Sequence, residues 1–367
     1  MSDLLAAWRD RVCAATAAAT PLRIVGGGSK DFYGQRLAGE IFDVSGHAGI
    51  VDYDPTELVI TARCGTRLFD VEQAMAQAGQ MLAFEPPHFG PKATIGGSVA
   101  AGLSGPRRPY AGAVRDLVLG IRLLDGRGNE LAFGGRVMKN VAGFDVSRLI
   151  AGSLGTLGVI VEVSLKCLPL PRTETTRAFE LPADEALRRL NAWSATPLPL
   201  SASCWHAGRL NVRLSGAESA VAAAARQLGG ERVDDAAGYW AAVRDQTHDF
   251  FAPFRQTNDG DAAAPGGPAL WRLSVRATAP PTTFGGATMI EWGGALRWLA
   301  AREEGDTEEA RAWAAAHGGH ATLFRASDKS AAVFQPLSPP LLALHQRVKA
   351  ALDPAGIFNP GRMYAEL

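Results

Sequence analysis

The stretch TIGGSVAAGLSG (residues 94–105) contains four glycines, two adjacent alanines and only three bulky side chains. A backbone without bulky side chains lets a flat ligand approach the main chain closely, and glycine adopts backbone angles that other residues avoid. The wider segment 81–105 is rich in glycine, proline and small residues, so we predict that it is mostly loop. The stretch therefore predicts a surface on which a flat ligand contacts the main chain.

A second glycine-rich stretch, IVGGGSKDFYG (24–34), follows a short apolar run. Consecutive glycines allow several backbone N–H groups to turn toward one anion, while Ser29 adds a hydroxyl donor and Lys30 a positive charge. A Walker loop requires Ser or Thr after the lysine, but Asp31 stands there. A Rossmann fingerprint that begins at Gly26 would place its third glycine at the same aspartate. Both of these phosphate-binding motifs are therefore excluded.

A third such stretch, AGSLGTLGVIVEV (151–163), leads directly into a predicted strand. Any one of the three is also explained as a turn between a strand and a helix that binds no ligand. Three stretches at these separations, each beside a strand, favour one elongated phosphate-bearing ligand that is contacted at several points.

Composition excludes several classes of protein. Among the 367 residues, 37 basic side chains balance 37 acidic ones, so nothing indicates binding to nucleic acid or an anionic membrane. No apolar run is long enough to cross a bilayer, and the N-terminal residues resemble a helix rather than a signal peptide. The four cysteines, Cys13, Cys64, Cys167 and Cys204, have no C-x-x-C spacing, which argues against a zinc or iron–sulfur site. These features predict a cytoplasmic protein with reduced, mostly buried thiols.

The order of predicted elements indicates an α+β protein with boundaries near residues 172 and 335. In the first part we predict a strand at 57–65, a helix at 67–79, two strands with a tight turn in 116–133, and a helix, turn and strand in 138–171. Alternating strands and helices follow, which favours antiparallel strands backed by helices, interrupted by a surface loop at 257–268. The final helix is expected to end near Asp353, before a proline. No convincing short repeat is visible.

Four segments in this order resemble one flavoprotein family. They are GGGSK (26–30), PPHFGPKATIGGSVAAGLSG (86–105), DLVLGIRLLDGRG (116–128) and KNVAGFDVSRLIAGSLGTLGVIVEVSLK (139–166). Together they resemble the FAD-binding domain of the vanillyl-alcohol-oxidase, or PCMH, family. Within that family they are most similar to the smaller FAD-binding subunits of bacterial glycolate oxidases, also called glycolate dehydrogenases. The resemblance covers residues 20–172 and the ending LDPAGIFNPGR (352–362), while the middle third matches only in general layout.

The resemblance implies an α+β fold in three parts. Residues 1–172 would form a PCMH-type FAD-binding domain of two α/β subdomains. Residues 173–335 would form an α+β cap domain of antiparallel sheet and helices. Residues 336–367 would form a C-terminal helix and a tail that returns to the FAD domain, where we expect Asn359 and Arg362 to hold it.

The resemblance also assigns cofactor-binding residues. The first loop would wrap the FAD pyrophosphate, the second and third groups would follow the pyrophosphate, the ribityl chain and the flavin ring, and the last group would close over the flavin or adenine end. In that order the residues are Gly26, Gly27, Gly28, Ser29 and Lys30; Pro86, Pro87, Thr94, Gly96, Gly97 and Ser98; Gly102 and Ser104; and Gly155, Val159 and Ile160. Some relatives hold flavin covalently through a histidine in the first loop. This loop has none, so the resemblance implies non-covalent FAD, and His88 nearby is expected to make ordinary hydrogen bonds.

The cap yields no catalytic assignment. Related hydroxy-acid dehydrogenases carry a histidine-rich H-x-G-D-G-N-x-H-like segment, which this chain lacks. The candidates are His206, His248, His317, His320 and His345, and for the pair His317 and His320 a role at a helix end is favoured over a metal site. Arg209 and Arg213 alternate on one predicted strand and either clamp a carboxylate or, as we favour, face solvent. No metal ligands and no catalytic residues are assigned.

The resemblance implies an FAD-dependent oxidoreductase that acts on the CH–OH group of 2-hydroxy acids as part of a complex. The resemblance implies a multi-subunit glycolate dehydrogenase with a larger FAD-binding subunit, an iron–sulfur subunit, and a small 2-hydroxy acid as substrate. Such a complex would be cytoplasmic, with or without peripheral attachment to the inner membrane. Two alternatives stay open. One is a stand-alone FAD oxidase or dehydrogenase of another small hydroxy acid, and the other is a non-catalytic structural subunit.

Overall fold

A computed structural model describes residues 2–135, 145–255, 268–301, 306–326, 328–329 and 331–367. The chain forms two compact units. Unit 1 comprises Met1–Ser104, Gly112–Leu170 and Pro336–Leu367, and unit 2 comprises Gly105–Ala111 and Pro171–Gln335. The short segment Gly105–Ala111 therefore belongs to unit 2, although the sequence analysis placed it in the first domain. The loop expected at 257–268 falls almost entirely outside the described residues, as do residues 138–144.

The described part of the chain contains the following helices and strands. The helices are α1 (Ser2–Ala18), α2 (Leu68–Gln77), α3 (Ile95–Ala101), α4 (Arg108–Ala111), α5 (Val114–Leu117), α6 (Val146–Ile150), α7 (Ala183–Ser194), α8 (Glu218–Leu228), α9 (Ala236–Arg244), α10 (Asp306–Ala316) and α11 (Pro339–Leu352), with 3-10 helices at Asp249–Phe254 and Trp292–Gly294. The strands of unit 1 are β1 (Leu22–Val25), β2 (Glu40–Asp43), β3 (Ile50–Asp54), β4 (Val59–Arg63), β5 (Gln80–Met81), β6 (Val118–Leu124), β7 (Glu130–Gly134), β8 (Val159–Lys166) and β9 (Leu168–Pro169). The strands of unit 2 are β10 (Thr173–Glu180), β11 (Leu200–His206), β12 (Arg209–Gly216), β13 (Glu231–Arg232), β14 (Ala269–Ser274), β15 (Thr288–Glu291), β16 (Leu296–Ala301) and β17 (His320–Arg325).

Unit 1 contains a five-stranded antiparallel sheet in the order β3-β4-β8-β6-β7 and a smaller parallel pair, β1 and β2. The central strands β4, β8 and β6 are rich in valine, isoleucine and leucine, and they are buried for most of their length. Helix α2 buries Leu68, Val71 and Met75, whose spacing gives the helix one apolar face. This core supports the glycine-rich segments at the ends of its strands.

Unit 2 contains an eight-stranded sheet in the order β13-β10-β12-β11-β15-β16-β14-β17, and every pair in it is antiparallel. Each half has the strand order of a β-α-β-β-α-β ferredoxin-like motif, with the fourth strand beside the first and the third beside the second. The two halves meet where β11 pairs with β15, Cys204 opposite Glu291. The described residues between β14 and β15 form no helix, whereas α7 links β10 to β11. The sequence analysis missed this structural repeat.

Candidate functional site

The glycine loop that follows β1 lies against the segment that precedes α3. A Cβ atom at Gly27 would come within 1.5 Å of the carbonyl oxygen of Lys92, and one at Gly26 would come within 2.7 Å of Thr94 Oγ1. Gly28 has a φ of +70°, a backbone conformation that favours glycine. The glycines of this loop are therefore required by close backbone packing and by backbone conformation.

A cleft in unit 1 opens between this loop, α3 and the C-terminal tail. Seven residues that were assigned to cofactor binding line it, namely Gly26, Gly27, Gly28, Ser29, Lys30, Thr94 and Gly97. Eight further residues line it that the sequence analysis did not assign: Ile24, Asp31, Leu37, Ala100, Ala101, Leu154, Asn359 and Arg362. The small side chains of Ala100 and Ala101 in the 94–105 stretch were a sequence signal for part of this wall. No sequence signal indicated that Asn359 and Arg362 also line the cleft, because their position there depends on how the tail docks.

Helix α3 corrects the expectation of loop at this point. Residues 95–101 are helical although two of them are glycines. Thr94 caps the helix, because its Oγ1 accepts a hydrogen bond from Gly97 N at 3.2 Å, and Gly102 ends it in the left-handed conformation. The caps at both ends offset the poor helix propensity of the glycines.

Nine of the assigned residues do not line the cleft. They are Pro86, Pro87, Gly96, Ser98, Gly102, Ser104, Gly155, Val159 and Ile160. Packing explains two of the glycines: a Cβ at Gly96 would meet Cys64 Cβ at 2.6 Å, and one at Gly102 would meet the Cα of Gly152 at 2.7 Å. Ser98 is 1% exposed, and its hydroxyl has no hydrogen-bond partner among the described residues.

Pro86 and Pro87 are buried, and four other assigned residues have local structural contacts. Ser104 Oγ accepts a hydrogen bond from Val114 N at 3.1 Å. Gly155 lies beside the tail, since a Cβ there would be 2.7 Å from Asn359 Nδ2. Val159 and Ile160 begin β8, where they are buried and pair with β6. Whether any of these groups also contacts a cofactor stays a prediction.

Lys30 connects the glycine loop to the PPHFG segment. Its Nζ lies 3.4 Å from both Ser29 Oγ and the carbonyl oxygen of His88, and 5.6 Å from the ring centre of Phe89. The imidazole Nε2 of His88 lies 2.9 Å from Glu72 Oε2, which confirms the expected hydrogen-bonding role of this histidine. The lysine therefore holds two of the glycine- and proline-rich segments together at the cleft.

The two arginines considered as a carboxylate clamp in unit 2 differ from each other. Arg209 is partly exposed and pairs with Glu180 at 2.9 Å and Glu231 at 3.1 Å. Arg213 is only 5% exposed, its Nε donates to Ser201 Oγ at 3.1 Å, and its guanidinium stacks over Trp240. The expectation that both face solvent is therefore wrong for Arg213, because α9 covers this face of the sheet with that tryptophan.

Four of the five candidate histidines have side-chain contacts with backbone groups. His317 Nδ1 lies 2.8 Å from the carbonyl oxygen of Trp313 at the end of α10, and His345 Nδ1 lies 2.8 Å from that of Leu341 in α11. His206 Nδ1 lies 3.1 Å from the carbonyl oxygen of Thr288, and His248 Nδ1 accepts from Phe250 N at 3.2 Å. Nowhere in the described residues do three potential metal-binding side chains cluster as a metal site requires.

The structure also tests the expectations about the cysteines and about membrane-spanning segments. Cys64, Cys167 and Cys204 are buried and Cys13 is exposed, as expected. Burial raises the pKa of the Cys64 and Cys167 thiols to about 12. Among the described helices, none combines the length and the apolar content needed to cross a membrane.

The chain is similar in sequence to known protein families and to a known protein along its whole length. The FAD binding domain family matches residues 5–134, and the C-terminal domain family of FAD linked oxidases matches residues 327–363, which include Asn359 and Arg362. The glycolate oxidase subunit GlcE of Escherichia coli is 48% identical over 365 residues, which cover 100% of this chain and 99% of that protein. The chain belongs to the GlcE family of FAD-linked oxidases. The prediction of an FAD-binding protein of the glycolate oxidase type is thereby confirmed.

More distant relatives share only part of the GlcE-type chain. The glycolate oxidase subunit GlcD of Bacillus subtilis is 34% identical over 128 residues, 35% of this chain and 27% of that protein. A D-lactate dehydrogenase of Anaerostipes hadrus is 34% identical over 125 residues, 34% of this chain and 26% of its own length. A solved structure of alkyldihydroxyacetonephosphate synthase matches with a TM-score of 0.64 over 96% of this chain and 74% of its own, at 15% identity. That structural match confirms the expected α+β fold.

Proposed function

We propose that this chain is the FAD-binding subunit of a multi-subunit glycolate dehydrogenase and contributes to the oxidation of glycolate to glyoxylate. The observation that carries the proposal is its 48% identity to a glycolate oxidase subunit along essentially the whole of both chains. The cleft of unit 1, where seven residues assigned to cofactor binding meet, supports it.

The residues at the cleft fit a ligand that carries a diphosphate. Gly26 and Gly27 leave no room for side chains, so the main chain itself forms the wall. Lys30 and Arg362 add positive charge, and Ser29 and Thr94 add hydroxyl groups. FAD, when bound, would accept the electrons that leave the CH–OH group of the substrate. The chain's own part is to bind the cofactor, orient it and set its electrostatic surroundings.

The lining of the cleft supports the inference of partner subunits. The lining side chains include no histidine, and Asp31 is paired with Arg23 at 2.7 Å, so no free acid–base group stands out among them. We infer that a larger FAD-binding subunit supplies much of the substrate chemistry, and that an iron–sulfur subunit accepts the electrons. The assembled complex would be cytoplasmic or peripheral to the inner membrane.

The first experiment is the visible spectrum of the purified chain before and after anaerobic addition of glycolate, alone and with its co-expressed partners. A flavin spectrum of the chain that does not bleach when the chain is alone, together with bleaching in the complex that exceeds that of the partners purified without this chain, supports the proposal. Bleaching without the partners would indicate a stand-alone hydroxy-acid dehydrogenase. Absence of flavin from the chain in both preparations would contradict the proposal and favour a structural subunit.

A further inference from the structure

The C-terminal tail forms part of the cleft wall in unit 1. Leu22 N donates to the carbonyl oxygen of Ile357 at 2.7 Å, and Asn359 N donates to that of Leu22 at 2.9 Å, so the tail forms a parallel β-bridge with the first residue of β1. The side chain of Asn359 accepts from Ile24 N at 2.9 Å and donates to the carbonyl oxygen of Leu154 at 2.7 Å. The tail therefore fixes two walls of the cleft to each other.

Arg362 continues this tail into the loop that follows the glycines. Its guanidinium donates to the carbonyl oxygens of Asp31, at 2.8 Å, and of Tyr33 and Gln35. In return, Gln35 N donates to the carbonyl oxygen of Arg362 at 2.9 Å. These bonds hold the arginine, which is 5% exposed, in one orientation at the cleft.

The charge of Arg362 is compensated only in part by these contacts. Its three hydrogen-bond partners are neutral carbonyl groups, and the nearby carboxylate of Asp31 is itself paired with Arg23 at 2.7 Å. Burial lowers the pKa of the Arg362 guanidinium to about 10, so the charge is held at an energetic cost. A buried cation that lines a cleft is stabilised by an anionic ligand, and a guanidinium suits phosphate oxygens well.

We propose that Arg362 is a cofactor-binding residue whose guanidinium supplies positive charge to the diphosphate of the bound dinucleotide. The inference rests on the proposed function, because it takes FAD as the ligand of the cleft. The hydrogen bonds of Arg362 alone would assign this residue to tail docking, and the inference adds a role in ligand binding. If Arg362 binds the diphosphate, its loss weakens only ligands that contain a diphosphate; if Arg362 only docks the tail, its loss weakens all ligands of the cleft.

The test compares the dissociation constants of FAD, ADP and riboflavin for the apoprotein and for Arg362→Gln. FAD and ADP contain the diphosphate, and riboflavin has no phosphate. We expect Arg362→Gln to weaken FAD and ADP by about ten- to a hundredfold, the loss typical of one charge-assisted hydrogen bond. Riboflavin affinity should change by less than about twofold. Arg36→Gln, an exposed arginine in the same loop that does not line the cleft, is the matched control and should leave all three constants unchanged.

Two further measurements separate charge from folding. Arg362→Lys keeps the charge and should bind FAD more tightly than Arg362→Gln, while the melting temperature of each apoprotein reports the loss of tail contacts. Equal weakening of all three ligands, or a lysine variant no better than glutamine, would show that Arg362 is only structural. Unchanged FAD affinity in Arg362→Gln would also overturn the inference. If the wild-type chain fails to bind FAD both alone and with its co-expressed partners, the proposed function fails instead.

Discussion

In unit 1 the candidate site is built from main chain and small side chains, whereas in unit 2 the comparable polar groups are large side chains packed on aromatic rings. The glycine loop of unit 1 lies so close to Lys92 that a single Cβ does not fit. In unit 2, Arg108 and Arg272 both stack on Trp292, at 4.4 and 5.1 Å from its ring centre. Main-chain sites depend on exact backbone packing, while side-chain clusters depend on burial and charge, so the two units should respond differently to substitution and to pH.

The largest effect is expected from Gly27→Ala. The added Cβ would lie 1.5 Å from a backbone oxygen, so the loop must move and the cleft is lost. We expect the purified variant to show no flavin absorbance in its visible spectrum, under conditions in which the wild-type protein retains its flavin. An aspartate at this position would fail for the same steric reason, before its charge matters. Gly46→Ala is the control, because nothing lies within 4 Å of a Cβ there.

If Gly27→Ala and Gly46→Ala contain the same amount of flavin, the site in unit 1 does not depend on close backbone packing at Gly27. That result would mean that the loop accommodates a side chain by moving without any effect on the ligand. The assignment of the first glycine loop to the cofactor site would then be wrong.

The next effect concerns buried and exposed ion pairs. Lys349 Nζ in unit 1 lies 2.8 Å from Asp353 Oδ2 and donates to the carbonyl oxygens of Thr156 and Phe358. Lys349→Met would leave a carboxylate buried without its counter-charge, and we expect the free energy of unfolding to fall by about 3–5 kcal/mol. The partly exposed Arg209 of unit 2 provides the control, since Arg209→Met should cost less than about 1 kcal/mol. Urea unfolding monitored by circular dichroism measures both; similar losses would refute the difference between the two pairs.

The smallest effect is a pH dependence that arises in unit 2. Burial, and then the charge of His206, lower the pKa of His248 below its ordinary value of 6.5. The unfolded chain therefore binds more protons than the folded one below that pH, so stability should be lost as the pH falls through 6.5 and toward the folded pKa. Asp249 opposes this shift and Arg255 adds to it. We expect less stability at pH 5.5 than at pH 7.5.

His248→Asn provides the matched variant for this measurement. The asparagine oxygen can accept the hydrogen bond from Phe250 N that caps the 3-10 helix, but it does not titrate. The variant should lose less stability than the wild type between the two pH values. An identical loss would assign the pH dependence to other groups, such as the buried His47 of unit 1, whose pKa burial also lowers.

The sequence predicted the parts of the fold that depend on local pattern. The periodicity of apolar residues located β4, α2, β6 and β7 to within a few residues, and it predicted a strand after the glycine-rich turn of 138–171, where β8 lies. It did not locate α3, because two glycines argue against a helix and the caps at Thr94 and Gly102 are effective only in the folded geometry. The repeat in unit 2 was also hidden, since its halves share strand order but differ in sequence and one lacks a helix.

The candidate site was predictable where glycines mark it and not where distant segments meet. Composition drew attention to the loop from Gly26 to Lys30 and to the glycine-rich stretch 94–105, and the family resemblance assigned Thr94 and Gly97, which also line the cleft. The resemblance led us to expect that Asn359 and Arg362 hold the tail, and both do form hydrogen bonds within unit 1, but their place in the lining of the cleft was not expected. Val159 and Ile160, which the resemblance assigned, pair within the central sheet, and their contact with a cofactor stays a prediction.

The discontinuity of unit 1 sets an order of events during synthesis. Ile24 and Asn359, which share a hydrogen bond, are separated by 335 residues. At ordinary translation rates the glycine loop therefore exists for about 20 to 70 s before the ribosome has made the tail that fixes it. All of unit 2, which ends at Gln335, is made in that interval. The inserted unit can thus fold first, and the cleft of unit 1 is completed in one of the last steps in the maturation of the protein.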